Sequence, residues 1–193
     1  GQTINVQGNP VFGVYCIHSG KVKVTNIAEN GKETIIRIAS AGSAVGYRSL
    51  FAGEVMQATL TALEDSEICF FSKDEIFRVV KDNPQASLTL LKNLGTLLGE
   101  AEKKISSLSQ DPVKKRYANL LLSLTEKYGI EVEGLKKIEL KLTREEMASI
   151  IGTTPETLTR ITTEFRNKRF LFVRNKTFYV KNLAALDEIA HSI

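Results

Sequence analysis

Residues 143–165, TREEMASIIGTTPETLTRITTEF, hold the groups in this chain best suited to chemical recognition. Thr143 stands three residues before Glu146, the capping-box spacing at which two side chains each bond the other's backbone N–H at a helix start. Met147, Ile150 and Ile151 would face inward from that helix. Gly152 supplies a tight turn, Thr154 caps a second helix, and Pro155 takes its first position, where a missing N–H costs nothing. The second helix buries Leu158, Ile161 and Phe165 and leaves Glu156, Thr157, Thr159, Arg160 and Thr163 on its other faces. Two helices across a short glycine turn make a helix-turn-helix, whose second helix lies in the major groove of DNA. The run FLFVRNKTFYV then reads as a hairpin turning at Arg174-Asn175-Lys176, which would be a wing. An ordinary packed helix pair is the alternative. Caps, turn, wing and charge all agree on the first reading.

Other chemistries find less support. With two cysteines, Cys16 and Cys69, one chain cannot build a four-thiolate zinc or iron–sulfur site. Each lies in an apolar strand-like run, VYCI and ICFF, and reads as a small buried hydrophobe, with a thiol switch as the alternative. His18 and His191 are isolated, so neither haem nor a metal is expected. No Gly-rich phosphate loop, His-Glu metal motif or Ser/His/Asp arrangement stands out, and the expectation is a protein that is not an enzyme.

The elements that must position the recognition segment follow from periodicity. VFGVYCIHSG, KVKVTNIAENG and KETIIRIASAG are β-branched runs closed by Gly20, Gly31 and Gly42 at even spacing. Asn30-Gly31 is a two-residue hairpin signal. MQATLTAL and EDSEICFF continue the alternation, so the fold class is α+β with an N-terminal small β-barrel or jelly roll. Residues 73–81 form a short helix, and Pro84 opens a long one in which Leu91, Leu94, Leu98, Ala101, Ile105 and Leu108 recur at spacings of 3 and 4. That seam predicts a homodimer interface; covering the roll of its own chain is the other use for it. Asp111-Pro112 ends the helix, a further helix follows, and residues 130–141 read as an acidic loop before Leu142 and Thr143. The expected domains are a β-roll at 1–82, a dimerisation helix at 83–110 and a winged helix-turn-helix at 111–193.

Length and charge agree with this division. The 193 residues suit two small domains, and 42% apolar with 25% charged residues is ordinary globular composition. Residues 1–110 carry 11 basic and 11 acidic side chains, whereas residues 111–193 carry 15 and 11, so the whole net charge of +4 lies in the C-terminal part. A polyanion partner for that half is the implication. No membrane segment or secretory signal is expected, which points to the cytoplasm, and the abrupt start at Gly1 suggests further residues upstream.

The order of parts, with GYRSLF in the roll and TREEMASIIGTTPETLTR in the basic half, resembles the cyclic-AMP receptor protein and fumarate–nitrate regulator (Crp/Fnr) family of bacterial transcription factors. The resemblance implies a β-roll sensor, a dimer helix and a winged helix-turn-helix, with a missing N-terminal helix explaining the start. It implies base reading by a Glu and an Arg, here Glu156 and Arg160, with Thr159 where Fnr-like proteins carry Ser. Arg can donate to guanine O6 and N7, Glu can accept from cytosine N4, and a Thr methyl can meet that of thymine. Pro155 replaces a further Arg of the cyclic-AMP receptor, so an Fnr-like half-site is expected. Thr143, Thr153, Thr154 and Thr157 would support the interface. Lys114, Lys115, Lys168, Arg169, Arg174 and Lys176 are candidates for phosphate contacts or plain solvated surface.

The sensor departs from the family's cyclic-nucleotide binders. Those carry Gly-Glu at the start of a short phosphate-cassette helix and an Arg about ten residues later. This chain has Gly46, Tyr47, Arg48 and Ser49, then Gln57, Ala58 and Thr59, so both charged anchors are absent and cyclic AMP is not expected. The start of that helix could attract an anion with Arg48 as counter-charge, or Tyr47 could fill the pocket without an effector. The expected function is a homodimeric, sequence-specific DNA-binding transcription regulator acting on an inverted repeat, with RNA polymerase and an unidentified small-molecule effector as further partners. The rivals are a module binding a cyclic nucleotide, another small molecule or a protein, whose helix-turn-helix serves packing and does not read DNA, and a regulator that responds to a cyclic nucleotide.

Overall fold

The computed structural model describes residues 1–192, and the chain divides into two compact units, Gly1–Glu102 and Lys103–Ile193. In the first unit, strands β1 (Thr3–Asn5), β6 (Thr59–Ala62), β3 (Lys21–Ile27) and β4 (Glu33–Ser40) form one antiparallel sheet in the order β1-β6-β3-β4. Strands β5 (Ala44–Val45), β2 (Gly13–Ser19) and β7 (Glu67–Ser72) form a second. Alternation along β3 sends Val22 and Val24 inward, where they meet Ile17, Ala39, Val45, Met56 and Leu60.

The turn between β3 and β4 is longer than the Asn30-Gly31 signal implies. The Ala28 N–H donates to the Lys32 carbonyl, and of the intervening residues only Gly31 is left-handed, with φ 78°. Two left-handed residues would be needed for the tight two-residue turn; one gives the three-residue turn with a glycine bulge.

Helix α1 (Tyr47–Ala52) lies between β5 and β6, and α2 (Lys73–Asp82) follows β7 with a Ser72–Glu75 capping box. The long helix α3 (Pro84–Gln110) crosses the boundary between the units. The apolar seam predicted along it is divided. Leu94, together with Leu90 and Leu97, packs on the cluster of Val14, Tyr47 and Leu50 in the roll. Leu91, Leu98 and Ile105, spaced seven apart, stay 63%, 62% and 68% exposed. Ala101 lines a cavity of the roll, and Leu108 lies over Gly152. A helix that covers the roll with one stripe retains a second apolar ridge about a fifth of a turn away.

The second unit contains α4 (Val113–Tyr128), β8 (Gly129–Val132), β9 (Leu135–Ile138), α5 (Arg144–Ile150), α6 (Pro155–Asn167), β10 (Leu171–Arg174), β11 (Thr177–Val180) and α7 (Leu183–His191). The stretch read as an acidic loop is the β8–β9 hairpin, turning on Glu133 and Gly134 at φ 52° and 74°. β9 pairs with β11, which gives a four-stranded sheet β10-β11-β9-β8 and ties the wing to the unit. Tyr117, Leu121, Leu158, Phe165, Leu171 and Leu186 are fully buried, and Tyr117 stacks on Phe165 at 5.5 Å between ring centroids.

Candidate functional site

Each end of the helix-turn-helix is held by its local sequence. The Thr143 N–H donates to the Glu146 carboxylate at 2.9 Å, and the Glu146 N–H donates to the Thr143 hydroxyl at 3.1 Å, so both side chains of the capping box are engaged. Thr154 accepts from the Thr157 N–H at 3.3 Å and Pro155 opens α6. Between them Gly152 adopts φ 63°, and the Thr153 N–H donates to the Ala148 carbonyl. The caps satisfy donors left unpaired at both helix starts.

Leu158, Ile161 and Phe165 form the buried face of α6, as its period dictates. Thr162 completes that face: its hydroxyl bonds the Leu158 carbonyl and meets the Tyr117 hydroxyl at 2.9 Å. Glu156 and Arg160 are exposed one turn apart on the opposite side. The Glu156 carboxyl sits below the usual carboxylate range, first because its own backbone N–H donates to it and then because the Thr154 hydroxyl does. It is therefore an ionised acceptor at neutral pH. Thr159, half-buried, spends its hydroxyl on the Pro155 carbonyl at 2.7 Å, which leaves the methyl as the side chain's one group outside that bond.

The basic candidates separate into two sets. Lys114 and Lys168 both pair with Glu164, and Lys115 pairs with Asp111 at 3.1 Å. Arg169, Arg174 and Lys176 are exposed with no ion pair recorded among the described residues. Arg174 pairs with Thr177 as the last residue of β10, so the wing turns on Asn175 and Lys176 alone, both left-handed at φ 50° and 63°.

In the roll, Gly46, Tyr47, Arg48, Ser49, Gln57 and Ala58 line one cavity of about 380 Å³ together with Arg37, Leu97 and Ala101. Thr59 does not reach it: the side chain is buried and accepts from the Gln7 N–H at 3.1 Å. Arg48 is engaged by Glu54 at 3.1 Å. Tyr47 is only 7% exposed and packs on Val14 and Leu50. The residue that sequence reasoning missed is Arg37, whose guanidinium donates to the Ala44 carbonyl at 3.3 Å. Burial pulls its pKa down, opposed by Tyr47 and Glu100. A signal existed: Arg37 alternates with the buried Ile35 and Ala39, which puts a charge on the inner face of β4.

Cys16 is half-buried, but Cys69, expected to be buried, is exposed. β7 is the edge of a three-stranded sheet, and its apolar run ICFF leaves Phe70 and Phe71 exposed as well. Cys16 and Cys69 are register partners across β2 and β7, and burial followed by the neighbouring Cys69 pushes the Cys16 thiol up.

A β-roll followed by a long helix and a winged helix-turn-helix is the build of a bacterial transcription regulator. The cyclic nucleotide-binding domain family matches residues 1–83, and the Crp-like helix-turn-helix domain family matches residues 115–189. A CRP-like cAMP-activated global transcriptional regulator of Mycobacterium tuberculosis is 25% identical over 94% of this chain and 81% of its own length. The fumarate and nitrate reduction regulatory protein of Escherichia coli is 27% identical over 98% of this chain and 76% of its own. The solved structure of a CRP/FNR family transcriptional regulator from Thermus thermophilus superposes with a TM-score of 0.82 at 26% identity, covering 100% of this chain and 95% of that one. The chain belongs to the Crp/Fnr family of transcription regulators.

Proposed function

We propose that this regulator reads an inverted-repeat operator as a homodimer, with Glu156, Thr159 and Arg160 contacting bases. The observation that carries the reading is the division of α6: Leu158, Ile161 and Phe165 lock one face into the core, while an ionised carboxylate and a guanidinium project one turn apart from the other. Arg160 offers the paired donors that match guanine O6 and N7, Glu156 accepts from cytosine N4, and the Thr159 methyl suits thymine. Arg169, Arg174 and Lys176 supply phosphate contacts, which set register and affinity but not sequence. Thr143, Thr153, Thr154 and Thr157 act by holding the two helix starts.

The exposed ridge of Leu91, Leu98 and Ile105 supports the homodimer, since burying a leucine contributes about 1.5–3 kcal/mol. A dimer would set two recognition helices roughly 34 Å apart, one turn of DNA. The cavity beside Arg37 suits a small anionic effector other than cyclic AMP, because Tyr47 and Gln57 stand where cyclic-nucleotide binders carry their charged anchors. RNA polymerase is the further partner, the cytoplasm the compartment, and no enzymatic reaction is assigned.

Selection of bound duplexes from a random pool by the purified chain tests this reading. A palindrome with half-sites one turn apart is the expected result. No enrichment, with and without a screen of anionic effectors, would overturn it.

A further inference from the structure

We propose that Arg116, in the first turn of α4, is a positioning residue for DNA reading that locks the turn of the helix-turn-helix to the end of α3. This rests on the DNA-reading role proposed above. Its Nε donates to the Ile151 carbonyl at 2.8 Å and Nη2 to the Gly152 carbonyl at 3.2 Å. Nη1 donates to the Asp111 carbonyl at 2.6 Å and to the Leu108 carbonyl at 3.4 Å. One guanidinium thus gathers the backbone oxygens of two separate chain segments that both end helices.

Those oxygens have a reason to want a cation. Ile151 is the C-cap of α5, and Leu108 lies in the last turn of α3, where carbonyls lack partners within the helix and carry the negative end of its dipole. A planar fork of five donors can meet several of them at once; a lysine ammonium on a flexible stem cannot hold the same geometry. The joint is closed on its apolar side by Leu108, which lies over Gly152. It is braced on the hinge by Asp111, whose carboxylate accepts from the Ser107 hydroxyl at 2.6 Å and pairs with Lys115. The first bond, from Ser107, holds that carboxyl below its usual range.

Thr154, the cap of α6, stands two residues beyond Gly152. Fixing the carbonyls of residues 151 and 152 therefore fixes where α6 starts and how Glu156 and Arg160 are rotated about its axis. Arg116 influences base reading without touching DNA.

The test compares the full chain with Arg116→Lys and Arg116→Gln, titrating each against the selected palindrome and a scrambled duplex over a salt series, beside thermal melts. The expected result is a roughly tenfold fall in discrimination for both variants, equivalent to ~1.4 kcal/mol, with the salt slope unchanged. Faster amide exchange at Gly152 and Thr153 should accompany it. Equal loss on both duplexes with the slope reduced by about 1 would make Arg116 a phosphate contact and overturn the proposal. A lower melting temperature with discrimination intact would reduce it to a packing residue and overturn it too. If the unaltered chain itself fails to discriminate, the DNA-reading role falls, and the positioning role with it.

Discussion

The end of the Leu108 side chain occupies the space beside Gly152 into which a Cβ would project: a methyl built there would stand 2.5 Å from Leu108 Cδ2. The last turn of α3 and the turn of the helix-turn-helix are thereby packed together, and the same joint is spanned by Arg116. Gly152 also holds φ 63°, which side chains other than glycine adopt at a cost.

Gly152→Ala should therefore destabilise the C-terminal unit by about 1–2 kcal/mol, mainly through the left-handed backbone. The tip of Leu108 can swing aside, so adding Leu108→Ala should recover only a small share. Denaturant titration of the single and double variants measures both terms. Full recovery in the double variant would show that contact, not backbone conformation, demands glycine.

Arg160→Ala should weaken binding to the selected operator by roughly 1–3 kcal/mol and relax preference at one base pair. A panel of operators substituted base by base reads this directly. A uniform loss over the whole panel would contradict base reading by Arg160.

Leu98 and Leu94 should respond in opposite ways to the same substitution. Leu98→Glu places a charge on an exposed ridge, so the protein should melt normally but sediment as monomers and bind its operator weakly. Leu94→Glu puts a carboxylate against Tyr47 and Leu50 and should cost the roll more than about 2 kcal/mol. A dimer that survives Leu98→Glu would show that the ridge is not the interface.

Alkaline stability should report on Tyr117. Burial pushes its phenol up to about 12 against the Thr162 hydroxyl and the more distant Arg144, which act the other way. The folded state thus holds the proton more tightly than the unfolded chain, whose phenol titrates near its ordinary value of 10.0. Stability is kept below about pH 10 and lost as pH climbs towards 12, by up to ~2.7 kcal/mol from this group. Tyr117→Phe should flatten that part of the pH profile while costing about 1 kcal/mol at neutral pH through the lost hydrogen bond. An equally steep alkaline fall in the variant would assign the transition to other groups.

The recognition head was legible because its signals are local. Thr143 with Glu146, Gly152, and Thr154 with Pro155 act on backbone groups within four residues, so the chain order alone dictates where α5 stops and α6 begins. The inner face of α6 follows from its period for the same reason. The β8–β9 hairpin looks like a loop in sequence because its two four-residue strands carry charges, and pairing with β11 supplies what their own composition does not.

What only the tertiary structure decided are the choices between neighbours of equal hydropathy or equal charge. Leu94 and Leu98 are alike in sequence, and the placement of the roll sends one inward and leaves the other bare. Arg48 and Arg37 are equally basic, yet Glu54 engages the first while β4 carries the second into the cavity wall. Arg116 shows the limit most plainly. The oxygens it gathers lie up to 36 residues away in the chain, and no pattern of side chains encodes a meeting of backbone carbonyls, which have the same chemistry at every position until folding leaves some of them without a partner.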